Sequence, residues 1–278
     1  MSRDQKQQSR PVAIVTGATT GIGAATARAL HDAGYHVFGT YRKLPATKLA
    51  QVDYVACDVT SDEAVGAAVR EVLAKAGRID LLVNNAGVGL IGAAEESSLE
   101  QAKSIFDVNL FGAIRMTKAV LPLMRQERSG RIVNISSVLG LIPAPFSALY
   151  ASSKHAIEGY SESLDHELRT RGIRVSVIVP AYTKTQFDAH FMEPDAKLEE
   201  YREIRAALGN TLREVMATAD PPDIVADVVL EAARAARPKL RYTAGERAGR
   251  LRLLRRFAPA ALMDGGIRRD LQLDESPR

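Results

Sequence analysis

Short apolar runs alternate along this chain with longer stretches that have helical periodicity. The apolar runs cover residues 12–15, 36–41, 54–57, 81–83, 131–136 and 173–179. Alternation of this kind predicts parallel strands joined by helical crossovers, so that helices cover both faces of one sheet. The sequence therefore predicts an α/β domain with a doubly wound parallel sheet and three α/β/α layers. Its ligand crevice should lie at the carboxyl ends of the strands, where the strand order reverses.

Helices are predicted over residues 22–33 and 148–171, with a further helix from 98 to about 126 that continues through Pro122. Thr60 with Glu63, and Ser98 with Gln101, have the spacing of capping boxes, which predicts a helix start at each. Gly172 is expected to close the helix over 148–171, since glycine adopts the left-handed conformation that commonly ends helices.

Length and composition favour one globular domain. The chain has 278 residues, 46% of them hydrophobic, and no apolar run approaches the ~18 residues that would span a bilayer. Residues 1–10 are polar, without the apolar stretch of a signal peptide, and they are expected to be disordered, as are residues 274–278. We assign residues 11–245 to this α/β domain, with a region at 181–222 that would cap its ligand crevice, and residues 246–278 to a basic amphipathic extension.

Charge and cysteine content narrow the cellular setting. The net charge of +4 does not call for a nucleic-acid partner. Cys57 is the single cysteine, so no internal disulfide is possible, and we expect it to be a small buried side chain. A cytoplasmic location is expected because this usage fits a reducing compartment. No set of acidic or cysteine ligands accompanies the histidines, so structural roles are expected for them and no metal site is expected.

A glycine-rich segment, residues 16–23, follows the first apolar run and opens the first helix. Such a loop brings backbone N–H groups and a helix N-terminus close to a pyrophosphate, although an ordinary glycine turn has the same composition. Asp58 and Val59 end the third run, and Asn85, Ala86 and Gly87 follow the fourth, at the same sheet edge. The candidate cofactor contacts in the loop are Gly17, Thr19, Thr20, Gly21, Ile22 and Gly23.

The end of the second strand predicts which dinucleotide is bound. Tyr41 and Arg42 occur where an acidic residue would accept hydrogen bonds from a free ribose 2′-hydroxyl. Arg42 suits a 2′-phosphate through bidentate contacts, which favours NADP(H) and leaves NAD(H) possible. The other interpretation is a solvated basic turn.

Ser137, Tyr150 and Lys154 form a candidate catalytic set. Tyr150 and Lys154 are four residues apart, so they share one helix face, and Ser137 ends the fifth run at the same sheet edge. A free tyrosine ionises near pH ~10, and a neighbouring ammonium favours the phenolate. Tyr150 could then exchange a proton with a substrate oxygen that Ser137 hydrogen-bonds.

These motifs together resemble the short-chain dehydrogenase/reductase family, over residues 11–185 and more weakly to 245. The resemblance implies a Rossmann-type sheet of about seven strands, a nicotinamide cofactor, and Ser137 rather than Ser136 as the catalytic serine. It adds Asn109, on the preceding helix, as a fourth catalytic residue that supports a water-linked proton relay to Lys154. It also implies cofactor contacts from Tyr150, Lys154, Pro180, Thr183 and Thr185, with Ala181 replacing the usual glycine. Homodimers or homotetramers built around the helices of Asn109 and Tyr150 are expected.

The implied reaction interconverts a secondary alcohol and a ketone or aldehyde. A stripe at 198, 201, 204, 208, 212 and 215, with Phe187, Phe191 and Met192, suggests an apolar small-molecule substrate, unless the stripe only packs on the protein. Two alternatives are a reductase of a carrier-bound acyl group and a non-catalytic NADP-sensing protein. A serine hydrolase is disfavoured, because no Gly-x-Ser-x-Gly segment occurs.

Arginines alternate with leucines over residues 247–257. A basic amphipathic helix of this kind can lie on a membrane surface, or it can pack on its own domain while its arginines stay solvated. Packing is the favoured interpretation.

Overall fold

Seven parallel strands form one sheet in the computed structural model, which describes residues 10–44, 49–185 and 191–270. The strands run in the order β3-β2-β1-β4-β5-β6-β7, and their order reverses between β1 and β4. Their bounds are β1 Val12–Val15, β2 His36–Tyr41, β3 Asp53–Ala56, β4 Leu81–Asn84, β5 Gly130–Ile135, β6 Ile173–Pro180 and β7 Arg241–Ala244. The predicted doubly wound α/β architecture is confirmed, and a crevice opens at the carboxyl ends of the strands on either side of the reversal.

Helices cover both faces of the sheet. Buried side chains of α1 and α7 pack on one face, and those of α2, α4 and α5 pack on the other. The helix bounds are α1 Gly21–Asp32, α2 Asp62–Ala76, α3 Leu99–Phe106, α4 Gly112–Glu127, α5 Ala148–Leu168, α6 Arg202–Ala217, α7 Pro222–Arg234, α8 Glu246–Phe257 and α9 Ala260–Asp270. The two apolar clusters leave the strand ends free to carry the polar side chains of the crevice.

The long helix predicted from Ser98 is present but interrupted. It continues through Pro122 to Glu127, and a π-helical turn, Asp107–Phe111, separates α3 from α4. The Ser98 hydroxyl accepts a hydrogen bond from the Gln101 backbone N–H at 3.1 Å. The Gln101 side chain instead donates to the carbonyl of Glu193 at 2.8 Å, so only half of the predicted capping box forms. A π-helical turn inside an α-helix is frequent at functional sites.

The predicted start of α2 at Thr60 is wrong by one residue. Ser61 is the N-cap, and its hydroxyl accepts from the Ala64 backbone N–H at 3.2 Å. Thr60 is held by a nearer acceptor, since its hydroxyl donates to the Asp58 carboxylate at 2.7 Å. The side chain that resembled a cap therefore orders the end of β3.

The chain ends supply features that the apolar runs did not predict. β7 has only four residues, and half of them are polar, so it has no apolar run. Arg10, expected to be disordered, donates to the carbonyl of Tyr35 at 2.8 Å. Residues 1–9, residues 274–278 and Phe187 lie outside the described residues.

Cys57 is buried, as predicted. Burial raises the pKa of its thiol to about 11, and the neighbouring Asp58 carboxylate acts in the same direction. The thiol is therefore neutral at physiological pH, which fits a packing role rather than a reactive one.

Candidate active site

One cleft of about 600 Å³ lies at the carboxyl ends of the central strands. The catalytic candidates on its wall are Ser137, Tyr150 and Lys154. The cofactor candidates on its wall are Gly17, Thr19, Thr20, Gly21, Ile22, Tyr41, Arg42, Asp58, Val59, Asn85, Ala86, Gly87, Pro180, Thr183 and Thr185. Gly23 and Asn109 are the two candidates that do not line the cleft. The fold thus brings segments that are far apart in sequence into one continuous wall.

Hydrogen bonds between β1 and β4 shape the glycine loop. The Asn85 side chain donates to the carbonyls of Thr16 and Gly17, at 2.9 and 3.1 Å. In return, the Thr16 hydroxyl accepts from the backbone N–H groups of Asn85 and Ala86, each at 2.9 Å. The sequence motif included Thr16 and Asn85, but their mutual bonding depends on the pairing of β1 with β4. Asn85 therefore positions the loop through its side chain.

The loop requires glycine at specific positions. Gly17 and Gly21 have φ values of 62° and 55°, in the left-handed region that favours glycine. A Cβ on Gly23 would lie 2.2 Å from the carbonyl oxygen of Gly17, so this glycine lets α1 approach the loop closely. Its contribution is packing, which explains why it does not line the cleft.

The start of α1 fits a phosphate group. Thr20 caps the helix without a side-chain hydrogen bond, and no acidic residue occurs in the first turn. The first backbone N–H groups of a helix have no partner within it and carry partial positive charge. Together with the loop geometry, this arrangement suits the pyrophosphate of a dinucleotide.

Beyond the glycine loop, the cofactor end of the cleft contains an acidic and a basic side chain. Arg42 is exposed just after β2 and lines the cleft with Asp58. The Thr60 backbone N–H and hydroxyl hold the pKa of Asp58 below its ordinary value, and the nearby guanidinium of Arg42 contributes to the same shift. Asp58 is therefore ionised at neutral pH, and Arg42 adds positive charge beside it.

Tyr150 and Lys154 lie one turn apart on α5, as their spacing predicts. The Lys154 Nζ lies 5.6 Å from the centroid of the Tyr150 ring and donates to the carbonyl of Ile135 at 3.0 Å. Burial lowers the pKa of Lys154 to about 8, while the Glu158 carboxylate acts in the opposite direction. The ammonium is thus charged at neutral pH but loses its proton more easily than a surface lysine.

The two neighbouring serines at the end of β5 have different surroundings. Ser136 is only 2% exposed, and its hydroxyl has no hydrogen-bond partner among the described residues. Ser137 is half-buried, and its hydroxyl oxygen accepts from the Leu139 backbone N–H at 3.2 Å. The Ser137 hydroxyl proton remains available for a substrate oxygen, since this contact uses the oxygen as acceptor.

Asn109 lies behind the cleft wall, within the π-helical turn. Its side-chain oxygen accepts from the Val88 backbone N–H at 2.8 Å, and its amide donates to the Val88 carbonyl and the Ser153 hydroxyl. Ser153 in turn donates to the carbonyl of Tyr150 at 2.7 Å. These bonds connect the segment after β4 to α5. Sequence reasoning did not identify Val88 or Ser153, because neither belongs to a motif.

The segment after β6 pairs with the residues just before α7. Thr183 forms a parallel bridge with Asp220, and the Lys184 backbone N–H donates to the carbonyl of Asp220 at 2.7 Å. Ala181, which replaces a glycine, causes no backbone strain, since Arg128 and Phe146 are the only non-glycine residues with positive φ in the described ranges. Thr185 packs against Gly21, so this segment reaches back to the glycine loop.

The remaining wall of the cleft is mainly apolar. Phe191 lines it as predicted, whereas Met192 pairs with Leu90 through a backbone bridge instead. From the predicted stripe on α6, Leu212 alone reaches the cleft. Further apolar lining residues, which sequence reasoning missed, are Val88, Leu90, Ile91, Val138 and Leu139.

A buried carboxylate attaches the capping region to the segment between β4 and α3. Glu96 has no exposed surface, and its oxygens accept from the backbone N–H groups of Ala93 and Leu198, at 3.0 and 2.8 Å. The same carboxylate pairs with Arg205 of α6. Nothing in the sequence pattern indicated Glu96, since its partners in the capping region, Leu198 and Arg205, are about a hundred residues away. It fixes the start of the capping region beside the cleft.

An aromatic contact reinforces the same junction. Phe146 has a φ of 60°, which is unusual for a bulky residue, and its carbonyl accepts from the Gly92 backbone N–H at 2.8 Å. Its ring packs edge-on against Tyr201, with 6.1 Å between centroids. Strained backbone of this kind persists where the surrounding structure holds it, commonly beside functional sites.

Metal chemistry finds no support in the described ranges, where no group of three histidine, cysteine, aspartate or glutamate side chains could hold an ion.

The chain is similar to known oxidoreductases in sequence. Residues 11–196 match the family model described as short chain dehydrogenase. The 3-ketodihydrosphingosine reductase of Bacteroides thetaiotaomicron is 40% identical over 176 residues, which span 63% of this chain and 65% of that relative, slightly under two thirds. Retinol dehydrogenase 8 of Bos taurus is 35% identical over 271 residues, covering 89% of this chain and 85% of the relative.

Solved structures give the same result for the fold. A short-chain dehydrogenase from Streptomyces avermitilis has a TM-score of 0.80 at 29% identity, covering 99% of this chain and 100% of that one. A short-chain dehydrogenase from Burkholderia cenocepacia, in complex with NADP, has a TM-score of 0.74 at 26% identity, covering 93% of this chain and 98% of that one. The matched family model, which covers more than half of the sequence, shows that the chain belongs to the short-chain dehydrogenase/reductase family of oxidoreductases.

Proposed function

We propose that this protein is an NADP(H)-dependent oxidoreductase that interconverts a secondary alcohol and a ketone or aldehyde of apolar character. The observation that carries the proposal is one continuous cleft with Ser137, Tyr150 and Lys154 on its wall and Arg42 on the same wall beyond the glycine loop. A non-catalytic NADP-sensing protein would not need the catalytic set, so its presence favours turnover.

The cofactor assignment rests on the loop and on Arg42. Gly17, Gly21 and the start of α1 would hold the pyrophosphate, and Arg42 would bind a 2′-phosphate. Asp58 would accept from the adenine amino group, and Thr185 would contact the nicotinamide end. The similar structure from Burkholderia cenocepacia was solved with NADP, which supports this choice.

The chemical step uses groups of this chain. A bound nicotinamide supplies the hydride in reduction and accepts it in oxidation. Tyr150 donates its hydroxyl proton to the carbonyl oxygen in reduction and removes the alcohol proton in the reverse direction. Ser137 donates a hydrogen bond to the same oxygen, where negative charge develops. The Lys154 ammonium favours the phenolate of Tyr150, and the proton that Tyr150 gives up is restored from solvent by way of Lys154.

Asn109 acts as a positioning residue in this proposal. Its side chain is occupied by Val88 and Ser153, and Ser153 hydrogen-bonds the backbone of Tyr150. It would therefore fix the orientation of the tyrosine rather than touch the substrate. A role in relaying a proton to Lys154 would need an intervening water.

The substrate class is argued from the capping end. Leu90, Phe191 and Leu212 form apolar wall, and no charged side chain lines the cleft among the described residues beyond 154. The two similar enzymes carry the names of 3-ketodihydrosphingosine and retinol, which are largely hydrocarbon. These observations favour a bulky apolar substrate over a carrier-bound acyl group.

The experiment is a spectrophotometric assay of NADPH oxidation with a panel of bulky apolar ketones, small polar carbonyls and sugars. We expect turnover with the apolar ketones and a fall in kcat/KM of about 10³ in Tyr150→Phe, within the range of general acid catalysis. Tyr160→Phe, on the same helix, is the matched control and should keep its activity. Turnover unchanged in Tyr150→Phe would refute the mechanism, and a preference for sugars would refute the apolar substrate.

We also propose a homo-oligomer that forms through the α3, α4 and α5 surface. The exposed side chains of Leu99 and Phe111 on this part of the chain support an interface there. Sedimentation velocity of the wild type and of Phe111→Ser tests the proposal, which predicts a shift toward monomer in the variant. A monomeric wild type would contradict it.

A further inference from the structure

The C-terminal arm, which we define as α8 and α9 (residues 246–270), has an unusual surface. The described residues contain nine large hydrophobic side chains that are exposed, and four of them lie between 253 and 262. They are Leu253, Leu254, Phe257 and Leu262, exposed by 58%, 50%, 72% and 70%. Exposed apolar side chains that are concentrated in one segment indicate an interaction surface.

The arm also has a positive net charge as large as that of the whole chain. Its sequence has seven arginines against three acidic residues, a net charge of +4, which equals the net charge of the whole chain. The rest of the chain therefore has no net charge, since it contains 30 basic and 30 acidic side chains. All seven arginines are exposed. A surface that combines this charge with bulky hydrocarbon suits an anionic, partly apolar partner.

The first half of α8 is fixed to the domain, as the favoured sequence interpretation expected. Ala248 is fully buried in a cluster with Val177 and Val179, and Leu251 packs against the same cluster. The Arg247 guanidinium lies 5.1 Å from the centroid of the Tyr182 ring, and Tyr182 lines the cleft. The arm therefore has a defined place beside the cleft, while the second half of α8 stays exposed.

We propose that the C-terminal arm binds the surface of bilayers that contain anionic lipid. Exposed Leu253, Leu254 and Phe257 would enter the boundary between headgroups and acyl chains, and the arginines would bind lipid phosphates, as basic amphipathic helices do. In this proposal the arm lies on the membrane surface. None of the helices in the described ranges is long and apolar enough to span a bilayer.

A second copy of this chain fits the arm less well. In a two-fold dimer the same patch meets itself, so the arginines of one arm would face those of the other. Arg250 already pairs with Glu246 of its own helix, and Asp264 is the one further acidic residue before Asp270 at the end of the arm. Like charges brought together in this way oppose association, whereas an anionic bilayer complements them.

The test is co-sedimentation of the full chain with vesicles of phosphatidylcholine alone or of an equimolar mixture with phosphatidylglycerol. We expect binding to the anionic vesicles, little binding to the neutral ones, and release at high salt, since salt screens the arginine contribution. The double variant Leu253→Ser/Phe257→Ser should lower the partition coefficient at least about ten-fold, because both side chains lose hydrocarbon that the bilayer would bury.

A charge variant and matched controls complete the design. Arg252→Gln/Arg255→Gln should lower binding to anionic vesicles roughly ten-fold or more. Leu44→Ser removes an exposed leucine elsewhere, and Arg70→Gln/Arg171→Gln removes two exposed arginines elsewhere. These controls should bind as the wild type does.

Three results would overturn the proposal: no sedimentation with anionic vesicles, binding unchanged in both arm variants, or equal losses in the controls. The remaining alternative is that the arm is an interface between copies of this chain, and sedimentation velocity without lipid tests it. Arm variants that dissociate an oligomer but leave vesicle binding unchanged would support that alternative and contradict the proposal. Vesicle binding is measured without any enzyme assay. A failure of this proposal can therefore be distinguished from a failure of the proposed reaction.

Discussion

The two ends of the cleft are built in different ways. At the cofactor end, Asn85 hydrogen-bonds both Thr16 and Gly17, and these residues follow two adjacent strands. At the substrate end, Glu96 bonds to partners 102 and 109 residues further along the chain, Leu198 and Arg205. The first arrangement follows from short motifs on paired strands. The second depends on packing between distant segments, so its side chains are free to differ without changing the sheet.

Among the variants that test this difference between the two ends, Gly23→Ala is expected to have the largest effect. In Gly23→Ala the new Cβ would meet the Gly17 carbonyl oxygen at 2.2 Å, and backbone cannot move as a flexible side chain does. We expect the Kd for NADPH, measured by fluorescence titration, to rise about 100-fold or more, with a lower Tm. Gly159→Ala, where nothing lies within 4 Å, is the matched control and should raise stability by about 0.5–1 kcal/mol. Equal behaviour of the two variants would show that the loop does not need its close approach.

Arg42→Asp tests how the cofactor end selects between NADPH and NADH. Replacing a phosphate-binding guanidinium by a carboxylate should lower kcat/KM for NADPH by about 100-fold, since one charge-assisted contact is lost and a repulsion is added. The kcat/KM for NADH should change much less. Arg70→Asp, at an exposed arginine of α2 that does not line the cleft, is the control. Equal losses with both cofactors would contradict the assignment of Arg42.

Lys154 belongs to neither end alone, because it lies between cofactor loop and substrate wall. Its pKa is lowered to about 8, so it is protonated below that pH and neutral above it. Reduction consumes a proton, so kcat/KM for ketone reduction should fall about ten-fold per pH unit above pH ~8. Lys154→Arg keeps its proton at every accessible pH and should lose this decline in whatever activity remains. A wild-type profile that stays flat to pH ~10 would contradict the role of Lys154.

The smallest predicted effect is at the substrate end. Glu96→Gln removes the charged partner of Arg205, which should loosen the capping region and raise KM for a bulky ketone about ten-fold. The kcat and the Kd for NADPH should change less than about three-fold, because Glu96 does not line the cleft. Glu96→Gln/Arg205→Met should recover part of the loss. An unchanged KM in both variants would mean that the ion pair does not position the capping region.

The sequence predicted the parts of the molecule that local patterns encode. The alternating runs predicted the sheet, and the Tyr150–Lys154 spacing predicted that the two residues share a helix face. The glycine loop and the Asp58 and Asn85 segments were predicted to meet because parallel strands end at one edge.

The rest required three-dimensional contacts. β7 lacks an apolar run, and Thr60 resembles a helix cap although Asp58 holds its side chain. The roles of Glu96 and Phe146 depend on contacts with residues of the capping region. No local sequence pattern links those residues to Glu96 or Phe146. For Asn109, the family pattern gave the position, whereas its bonds to Val88 and Ser153 show how it can act.

Transfer of label from cofactor to product tests the central claim most directly. The wild type and Tyr150→Phe are incubated with NADPH carrying deuterium at the transferable nicotinamide position and with a ketone that the panel identifies as a substrate. Mass spectrometry should find deuterium on the carbinol carbon of the wild-type product, and about 10³-fold slower labelling in Tyr150→Phe despite near-normal NADPH binding. Wild-type NADPH consumption without label in the alcohol, or equal labelling rates in the two proteins, would contradict the account.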